Sequence, residues 1–329
     1  MKRLVEYWYT NHWSTYCLRP LAWLYRGIIN LRRALYRKGW CRSAKMPVPV
    51  VVVGNITVGG TGKTPLVAWM AKHCRERGFN PGIVSRGYGG KKGRSPIRVM
   101  AHSDPVVVGD EAVMLVRQTQ CPMVVSKDRV AAARTLLEHH RCDIVISDDG
   151  LQHYALQRDL EIAVIDGSRH LGNECCIPAG PLRESRKRLQ EVDFVITNGK
   201  MNNGFYGMEV IPRAVYNLME PEQVLLPEHI VGRKVEAVAG IGNPERFFLL
   251  LQEMGFAVNP HVFPDHYFFT PRDIDFGEDS IVIMTEKDAV KCQNFADARH
   301  WCLAVVAKPD LQFKQVFTKH LQQFLARRV

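Results

Sequence analysis

The run Val48-Pro-Val-Val-Val-Val-Gly-Asn-Ile-Thr-Val-Gly-Gly-Thr-Gly-Lys-Thr-Pro65 sets a lysine and a hydroxyl directly behind a glycine-rich turn. That order suits the binding of nucleotide phosphates. Val58, Gly59, Gly60, Thr61, Gly62, Lys63, Thr64 and Pro65 form the phosphate-binding segment. Glycines let backbone N–H groups approach phosphate oxygens, the Lys63 ammonium would reach the β- and γ-phosphates, and the Thr64 hydroxyl would ligate magnesium. Pro65 suits the first turn of a following helix, whose N–H groups lack intrahelical partners. The strict phosphate-loop pattern asks for glycine at position 57, where this chain has Thr57. Gly54 and the Gly59-Gly60 pair are the residues available to supply the turn instead.

A second constellation is Cys142-Asp-Ile-Val-Ile-Ser-Asp-Asp-Gly-Leu-Gln-His153, an apolar strand ending in two acids. Adjacent carboxylates at a strand end point in different directions. One of Asp148 and Asp149 can serve a metal while the other orients substrate or water. Asp110 and Glu111 follow the apolar run Val106–Val108, which would put them on the same carboxyl edge; Asp110 fits equally as a helix N-cap. Arg86, in Ser85-Arg-Gly-Tyr-Gly89, is placed to meet a phosphate or to serve the structure. Arg183 and Glu184 end the rigid loop Pro178-Ala-Gly-Pro-Leu-Arg-Glu184, suited to gripping a polar group. Asp265 and His266 lie among aromatic residues in Phe263-Pro-Asp-His-Tyr-Phe-Phe269. His266 is a core or turn residue unless it faces the first half of the chain. Thr285-Glu-Lys-Asp-Ala-Val-Lys291 superficially resembles a guanine-reading motif but lacks its asparagine-lysine order.

These residues need strands to carry them. Val50–Val53 reads as a buried parallel strand, and Leu66–Gly78 as the helix after the loop. Further strands are expected at 82–85, 106–108, 123–125, 143–147, 162–165 and 194–197, and helices at 110–118, 127–139 and 184–190. The alternation indicates a doubly wound parallel α/β sheet of the P-loop NTPase kind. A second apolar-strand series starts near Val235 and continues through 281–284 and 303–306. Residues 202–227, with Pro212, Pro221 and Pro227, read as irregular. The expected organisation is a basic helical segment (1–45), a P-loop domain (46–215) and a smaller C-terminal α/β domain (216–329).

The charge is concentrated. Residues 1–45 hold ten Lys/Arg against Glu6, a net +9, while the other 284 residues carry 34 basic and 32 acidic side chains. Leu21, Leu24, Ile28, Leu31 and Leu35 share one helical face, with Arg19, Arg26 and Arg33 beside it and four of the six tryptophans in the same segment. The stretch is too interrupted by arginine for the roughly 18 apolar residues a spanning helix needs, and it lacks the pattern of a cleaved leader. It fits a helix lying in the interface of an anionic membrane, where each basic residue contributes about 1 kcal/mol, and the alternative is an ordinary amphipathic helix docked on the protein's own core with solvated arginines. No nucleic-acid fold and no obligate protein partner is evident. Nine scattered cysteines without a C-x-x-C pair argue for a reducing compartment and against a structural zinc site.

Gly-Asn-Ile-Thr-Val-Gly-Gly-Thr-Gly-Lys-Thr-Pro, Ser-Arg-Gly-Tyr-Gly, Gly-Asp-Glu-Ala, Ser-Asp-Asp-Gly-Leu-Gln-His, Pro-Ala-Gly-Pro-Leu-Arg-Glu, Phe-Pro-Asp-His-Tyr and Thr-Glu-Lys-Asp-Ala-Val-Lys together resemble the tetraacyldisaccharide 4′-kinase family. They run in order from residue 54 to 291. The family's loop also lacks the first glycine, so Thr57 belongs to its pattern. The resemblance implies ATP- and Mg²⁺-dependent phosphorylation of the 4′-hydroxyl of a lipid A disaccharide 1-phosphate, giving lipid IVA, at the cytoplasmic face of a Gram-negative inner membrane. Carried over by position, Lys63 and Thr64 hold phosphates and metal, and Asp149 or Asp148 supports the metal. Asp110 and His266 resemble the catalytic pair, with Asp110 as base. Glu111, Arg86, Arg183 and Glu184 would line the metal or headgroup region. With Asp110 and His266 in different domains, closure over the sugar is expected. A P-loop GTPase or metal-insertion chaperone, and a membrane-recruited ATPase without an acceptor, are the competing classes.

Overall fold

Four consecutive valines make β1 (Val50–Gly54), buried along its whole length. Val51 and Val53 face one hydrophobic layer, Val50 and Val52 the other. β-branched side chains suit such a two-faced strand, and burying each stabilises the fold by about 1.5–3 kcal/mol. The computed structural model describes residues 7–10, 12–90, 95–199, 205–226 and 230–326. Lys2, Arg3 and Glu6 of the basic segment, and Pro227, lie outside the described residues.

In chain order, α1 (Ser14–Cys17) and α2 (Arg19–Arg37) precede β1, and α3 (Lys63–Arg75) follows it. Then come β2 (Pro81–Ser85), β3 (Ile97–Val99), α4 (Pro105–Val108), α5 (Asp110–Thr119), β4 (Met123–Val125), α6 (Arg129–His139), β5 (Ile144–Asp148), β6 (Leu160–Asp166) and β7 (Phe194–Asn198). β1 lies between β5 and β6, all parallel; β2 and β4 extend one side, β7 the other, and β3 closes an edge antiparallel. Leu66 and Met70 of α3, with Val113 of α5, cover one face; Ala132 and Leu136 of α6 cover the other.

The second half is joined by a ribbon. β8 (Tyr206–Asn217) pairs with the last residues of β7 through Tyr206–Met208 and then runs on past them. After β9 (Lys234–Ala239), α7 (Pro244–Glu253), β10 (Ala257–Val262), β11 (Val282–Thr285) and α8 (Glu286–Cys292), the long β12 (His300–Pro309) returns antiparallel along β8, and α9 (Leu311–Ala326) packs Phe313 and Phe317 on the first half. β11, β9 and β10 run parallel to β12, hence opposite to the parallel strands of the first half. The described strands form one continuous, mostly parallel sheet, in the order β10-β9-β11-β12-β8-β7-β6-β1-β5-β2-β4-β3. Because the two sets run in opposite directions on either side of the ribbon, their carboxyl edges face each other across it.

Three elements differ from the sequence expectation. Residues 106–108 form not a strand but the one-turn helix α4: Asp104 Oδ1 accepts from Val106 N at 2.8 Å, and Pro105 holds the first helical position. Capping and a fixed proline φ outweigh the strand preference of three valines. The stretch 202–227 contains the 12-residue β8. Pro212 is tolerated there because the β8–β12 register shifts between Ala304 and Val305, leaving Arg213 without a paired partner, a bulge that spares the missing N–H. Residues 186–190 form a short 3₁₀ turn rather than the expected longer helix.

Candidate active site

A cavity of about 370 Å³ opens between the facing edges, with the phosphate-binding segment on one wall and residues of the second half on the other. Gly62 caps α3 at φ +88°, and a Cβ there would stand 2.3 Å from Asn198 Nδ2. Glycine is therefore required for both backbone angle and space. Gly54 acts at a different place, where its missing Cβ makes room for Leu151. Thr57 is buried in an antiparallel bridge with Leu182, while Val58 N donates to Pro181 O and Arg183 N to Ile56 O. The 178–184 loop thus staples the phosphate loop in an extended course, which a β-branched residue favours over glycine.

The two acids ending β5 are set apart by their surroundings. Asp149 adopts φ +49° and takes Arg183 Nη1 at 3.0 and 3.1 Å, with Lys63 Nζ at 3.6 Å. Burial works to raise its carboxyl, but Lys63 and Arg183 outweigh that and hold it at about 2. Asp148 is fully buried; burial, then the nearby Glu111 carboxylate, push it up to about 7. Its Oδ1 has no partner among the described residues. An orphaned, buried carboxylate oxygen facing a second carboxylate fits a cation. Thr64, Asp148, Asp149 and Glu111 all line the cavity. Among the described residues no cluster of three or more His, Cys, Asp or Glu could hold a metal unaided. Magnesium does not need one, since it takes one or two carboxylates and completes its shell with phosphates and water. Arg183 and Lys63 engage Asp149, and Lys287 engages Glu111 at 3.1 Å, so Asp148 is the donor left open.

Asp110 opens α5 at its first helical position; Gly109 is the cap. Its Oδ1 accepts from Glu111 N at 2.8 Å, and its Oδ2 accepts from His266 Nδ1 at 3.0 Å. Burial would raise the Asp110 carboxyl, but the hydrogen bond from His266 and the charge of Lys287 hold it below the usual range. His266 stands at φ +60° with Tyr88 tilted against its ring, and Gly89 leaves space for it: a Cβ at Gly89 would lie 2.9 Å from His266 Nδ1. Lys287 Nζ reaches Asp265 Oδ1 at 2.9 Å, Glu111 Oε1 at 3.1 Å and His266 Nε2 at 3.2 Å. An ammonium can only donate and an ionised carboxylate can only accept, so the tautomer of His266 with its proton on Nδ1 satisfies both contacts. The pair is already made in this structure.

A family model described as tetraacyldisaccharide-1-P 4′-kinase matches residues 14–326. The chain belongs to this family. A tetraacyldisaccharide 4′-kinase of Alkalilimnicola ehrlichii is 53% identical over 316 residues, 94% of either chain. One from Coxiella burnetii (strain RSA 331 / Henzerling II) is 49% identical over 311 residues, covering 94% of this chain and 92% of its own. The fold matches a solved Aquifex aeolicus LpxK in complex with ATP with a TM-score of 0.79 at 29% identity, over 93% of this chain and 99% of that one.

Within this member of the tetraacyldisaccharide 4′-kinase family, most of the residues singled out from sequence converge on the cavity. Lys63, Thr64, Arg86, Glu111, Asp148, Asp149, Arg183 and His266 line it, and Asp110 lies buried behind His266. Glu184 does not line it. It is buried, accepting from Gln152 Nε2 at 2.7 Å and from the Tyr154 hydroxyl, with Arg188 Nε at 3.6 Å. Lys287, Asn198 and Tyr88 were missed. The Thr-Glu-Lys-Asp stretch at a strand end was the available signal for Lys287. On α2, Leu21, Trp23, Leu24, Ile28 and Leu31 are exposed, whereas Ala22 is buried, the Tyr25 hydroxyl donates to Arg183 O at 3.2 Å and Arg33 pairs with Glu191. No helix of the described residues is long and apolar enough to cross a membrane.

Proposed function

We propose that this protein is an ATP-dependent kinase that phosphorylates the 4′-hydroxyl of a tetraacyldisaccharide 1-phosphate to give lipid IVA. The observation that carries this reading is the Asp110–His266 pair, 3.0 Å apart and joining the two halves, with His266 lining the same cavity as the Lys63 loop. Such an arrangement serves a phosphoryl donor on one side and a hydroxyl acceptor on the other. The names of the relatives support a tetraacyldisaccharide as the acceptor.

Lys63 and the loop N–H groups would hold the β- and γ-phosphates, and Arg183, released from Asp149, would meet the transferred group or the headgroup. Thr64 and Asp148, with Asp149 or Glu111, would hold Mg²⁺, which when bound offsets phosphate charge. The loose transition state of phosphoryl transfer asks for positioning more than for a strong base. Asp110, kept ionised and fixed by His266 and Glu111 N, suits late acceptance of the sugar proton. His266 orients the carboxylate and steadies its charge by donating Nδ1–H to it. Closure of the two halves over the sugar would exclude water. The exposed leucine face of α2, bordered by Arg19 and Arg26, would seat the enzyme peripherally on the anionic cytoplasmic face of the inner membrane.

The test supplies γ-labelled ATP and the acylated disaccharide in mixed micelles. Label appearing in the lipid is the expected result. Label released as free phosphate with none in lipid would instead make the protein an ATPase.

A further inference from the structure

Five cationic side chains line the cavity between the two halves: Lys63, Arg86, Arg183, Arg246 and Lys287. Three already have carboxylate partners, Lys63 and Arg183 on Asp149, and Lys287 on Glu111 and Asp265. Arg86 and Arg246 have none within ion-pair distance among the described residues. Arg86 stands on the phosphate-loop half. Arg246 comes from the other half, on the first turn of α7.

The position of Arg246 is built rather than incidental. Its Nη2 donates to Asn198 Oδ1 at 2.8 Å, and Asn198 Nδ2 donates to Thr61 O at 3.1 Å. Asn198 is buried at the end of β7 and packs so closely on Gly62 that no Cβ fits between. One side chain therefore separates the guanidinium from the backbone just before Lys63. The segment carrying it is anchored to the phosphate-loop half by Arg169 Nη1, which donates to Gly242 O at 2.9 Å, and by Asn243 Nδ2, 3.4 Å from Asp166 Oδ2. Asp166 and Glu209 are the acids whose charge reaches Arg246, and neither pairs with it. On the same helix Phe247 and Leu250 line the cavity with Ile241, Val210 and Leu303, an apolar wall suited to a nucleobase.

A partly desolvated guanidinium using one donor on a neutral amide lacks the anion that normally accompanies it. We propose that Arg246 is a polyphosphate-binding residue supplied by the second half of the chain, so that the nucleotide's phosphates are gripped from both sides. This rests on the nucleotide-binding part of the function proposed above. The amide of Asn198 holds the guanidinium beside the loop until the phosphates arrive, and charge-assisted bonds to phosphate oxygens then add to those of Lys63.

The test is equilibrium binding of adenosine, AMP, ADP and ATP to the full chain and to Arg246→Gln, which keeps a donor for Asn198 but removes the charge. The expected ratio of dissociation constants, variant to wild type, is near one for adenosine and rises with phosphate number to about 10–100-fold for ATP. Arg246→Lys should recover part of the ATP loss, since it restores charge without the planar fork. An equal loss for all four ligands would make Arg246 a strut between the halves and overturn the proposal, as would unchanged ATP affinity. If wild type binds ATP but labels no lipid, the kinase reading fails while this proposal stands. If lipid is labelled and Arg246→Gln binds ATP normally, this proposal alone fails.

Discussion

Asp110→Asn separates base chemistry from folding and from nucleotide binding. The substitution keeps the shape of a side chain that is 4% exposed, and its amide oxygen can still accept from Glu111 N, now 2.8 Å away. What it removes is the carboxylate proposed to accept the sugar proton, a role worth about 10²–10⁴-fold in turnover, or about 2.7–5.4 kcal/mol of barrier. It also sets an NH₂ donor against the Nδ1–H of His266. The imidazole cannot answer by moving its proton to Nε2, because the Lys287 ammonium occupies that side at 3.2 Å. One hydrogen bond is lost, about 1–2 kcal/mol. The neighbouring cations keep other partners, Lys287 on Glu111 and Asp265 and Lys291 on Asp288 at 2.7 Å, so no charge is stranded. The expected outcome is a fall in kcat of about 10²–10⁴, an ATP affinity within about twofold of wild type, and a melting temperature lowered by about a few degrees. Label transfer in mixed micelles, nucleotide titration and thermal melts measure the three. Turnover within tenfold of wild type would refute the assignment of Asp110 as base; a matching loss of ATP affinity would show that the variant damages the phosphate loop instead.

Glu184→Ala should cost about 2–4 kcal/mol in urea unfolding, because it strands the Tyr154 hydroxyl, leaves Gln152 with Asn55 O alone and leaves Arg188 with Glu161 alone; an unchanged midpoint would contradict the buried network. Replacing the exposed Leu24 and Ile28 together by aspartate should lower binding to phosphatidylglycerol vesicles by at least about tenfold, as two apolar contacts are lost and two repulsions added; equal co-sedimentation would remove α2 from the membrane surface. His73 is buried between α3 and α9; its Nδ1 accepts from Arg77 at 3.1 Å and its Nε2–H donates to Thr318 Oγ1 at 2.9 Å. Burial, then Arg77, lower its pKa to about 4 from 6.5. The unfolded chain therefore binds this proton first, and stability is lost as pH falls from about 6.5 to 4. His73→Gln should flatten the melting-temperature profile in that window, and parallel profiles for the two proteins would exclude His73 as its source.

The phosphate loop was legible because its logic is local: strand, turn, lysine and helix start fall within 18 residues, Val48 to Pro65. The same holds for Asp148 and Asp149 at the end of β5. Asp110 and His266 are 156 residues apart, and no periodicity pairs them; only the resemblance did. Asp110 reaches the site from a helix N-terminus behind the turn α4 rather than from the strand end that three valines suggest. Glu184 shows the converse. Its neighbour Arg183 faces the cavity, but alternation along an extended loop turns the next side chain inward, where Gln152, Tyr154 and Arg188 take it. Local composition does not distinguish those two destinations. Lys287 could be seen at a strand end, yet its partner Glu111 lies 176 residues earlier, so its bridging place emerges only from the topology.

That topology explains why one site can draw on both halves. In a parallel sheet, ligands bind beyond the carboxyl ends of the strands, and a single run of parallel strands offers one such edge. Here β8 leaves β7 at Met208, opposite Asn198, and meets the carboxyl end of β11 through Leu303, which faces Val215. Seven residues of strand separate those two points, about 23 Å at the usual rise. The antiparallel return of β12 reverses the second set of strands, so the edge bearing Lys63 and Asp148 confronts the edge bearing His266 and Lys287. The bulge at Arg213 sits within this span, letting the ribbon bend while its pairing continues on either side. On the proposed function, a phosphoryl donor at the edge bearing Lys63 and a hydroxyl acceptor near the edge bearing His266 would have only the width of the cavity between them. The ribbon sets that width, and residues far apart in the chain become partners because two carboxyl edges are held face to face.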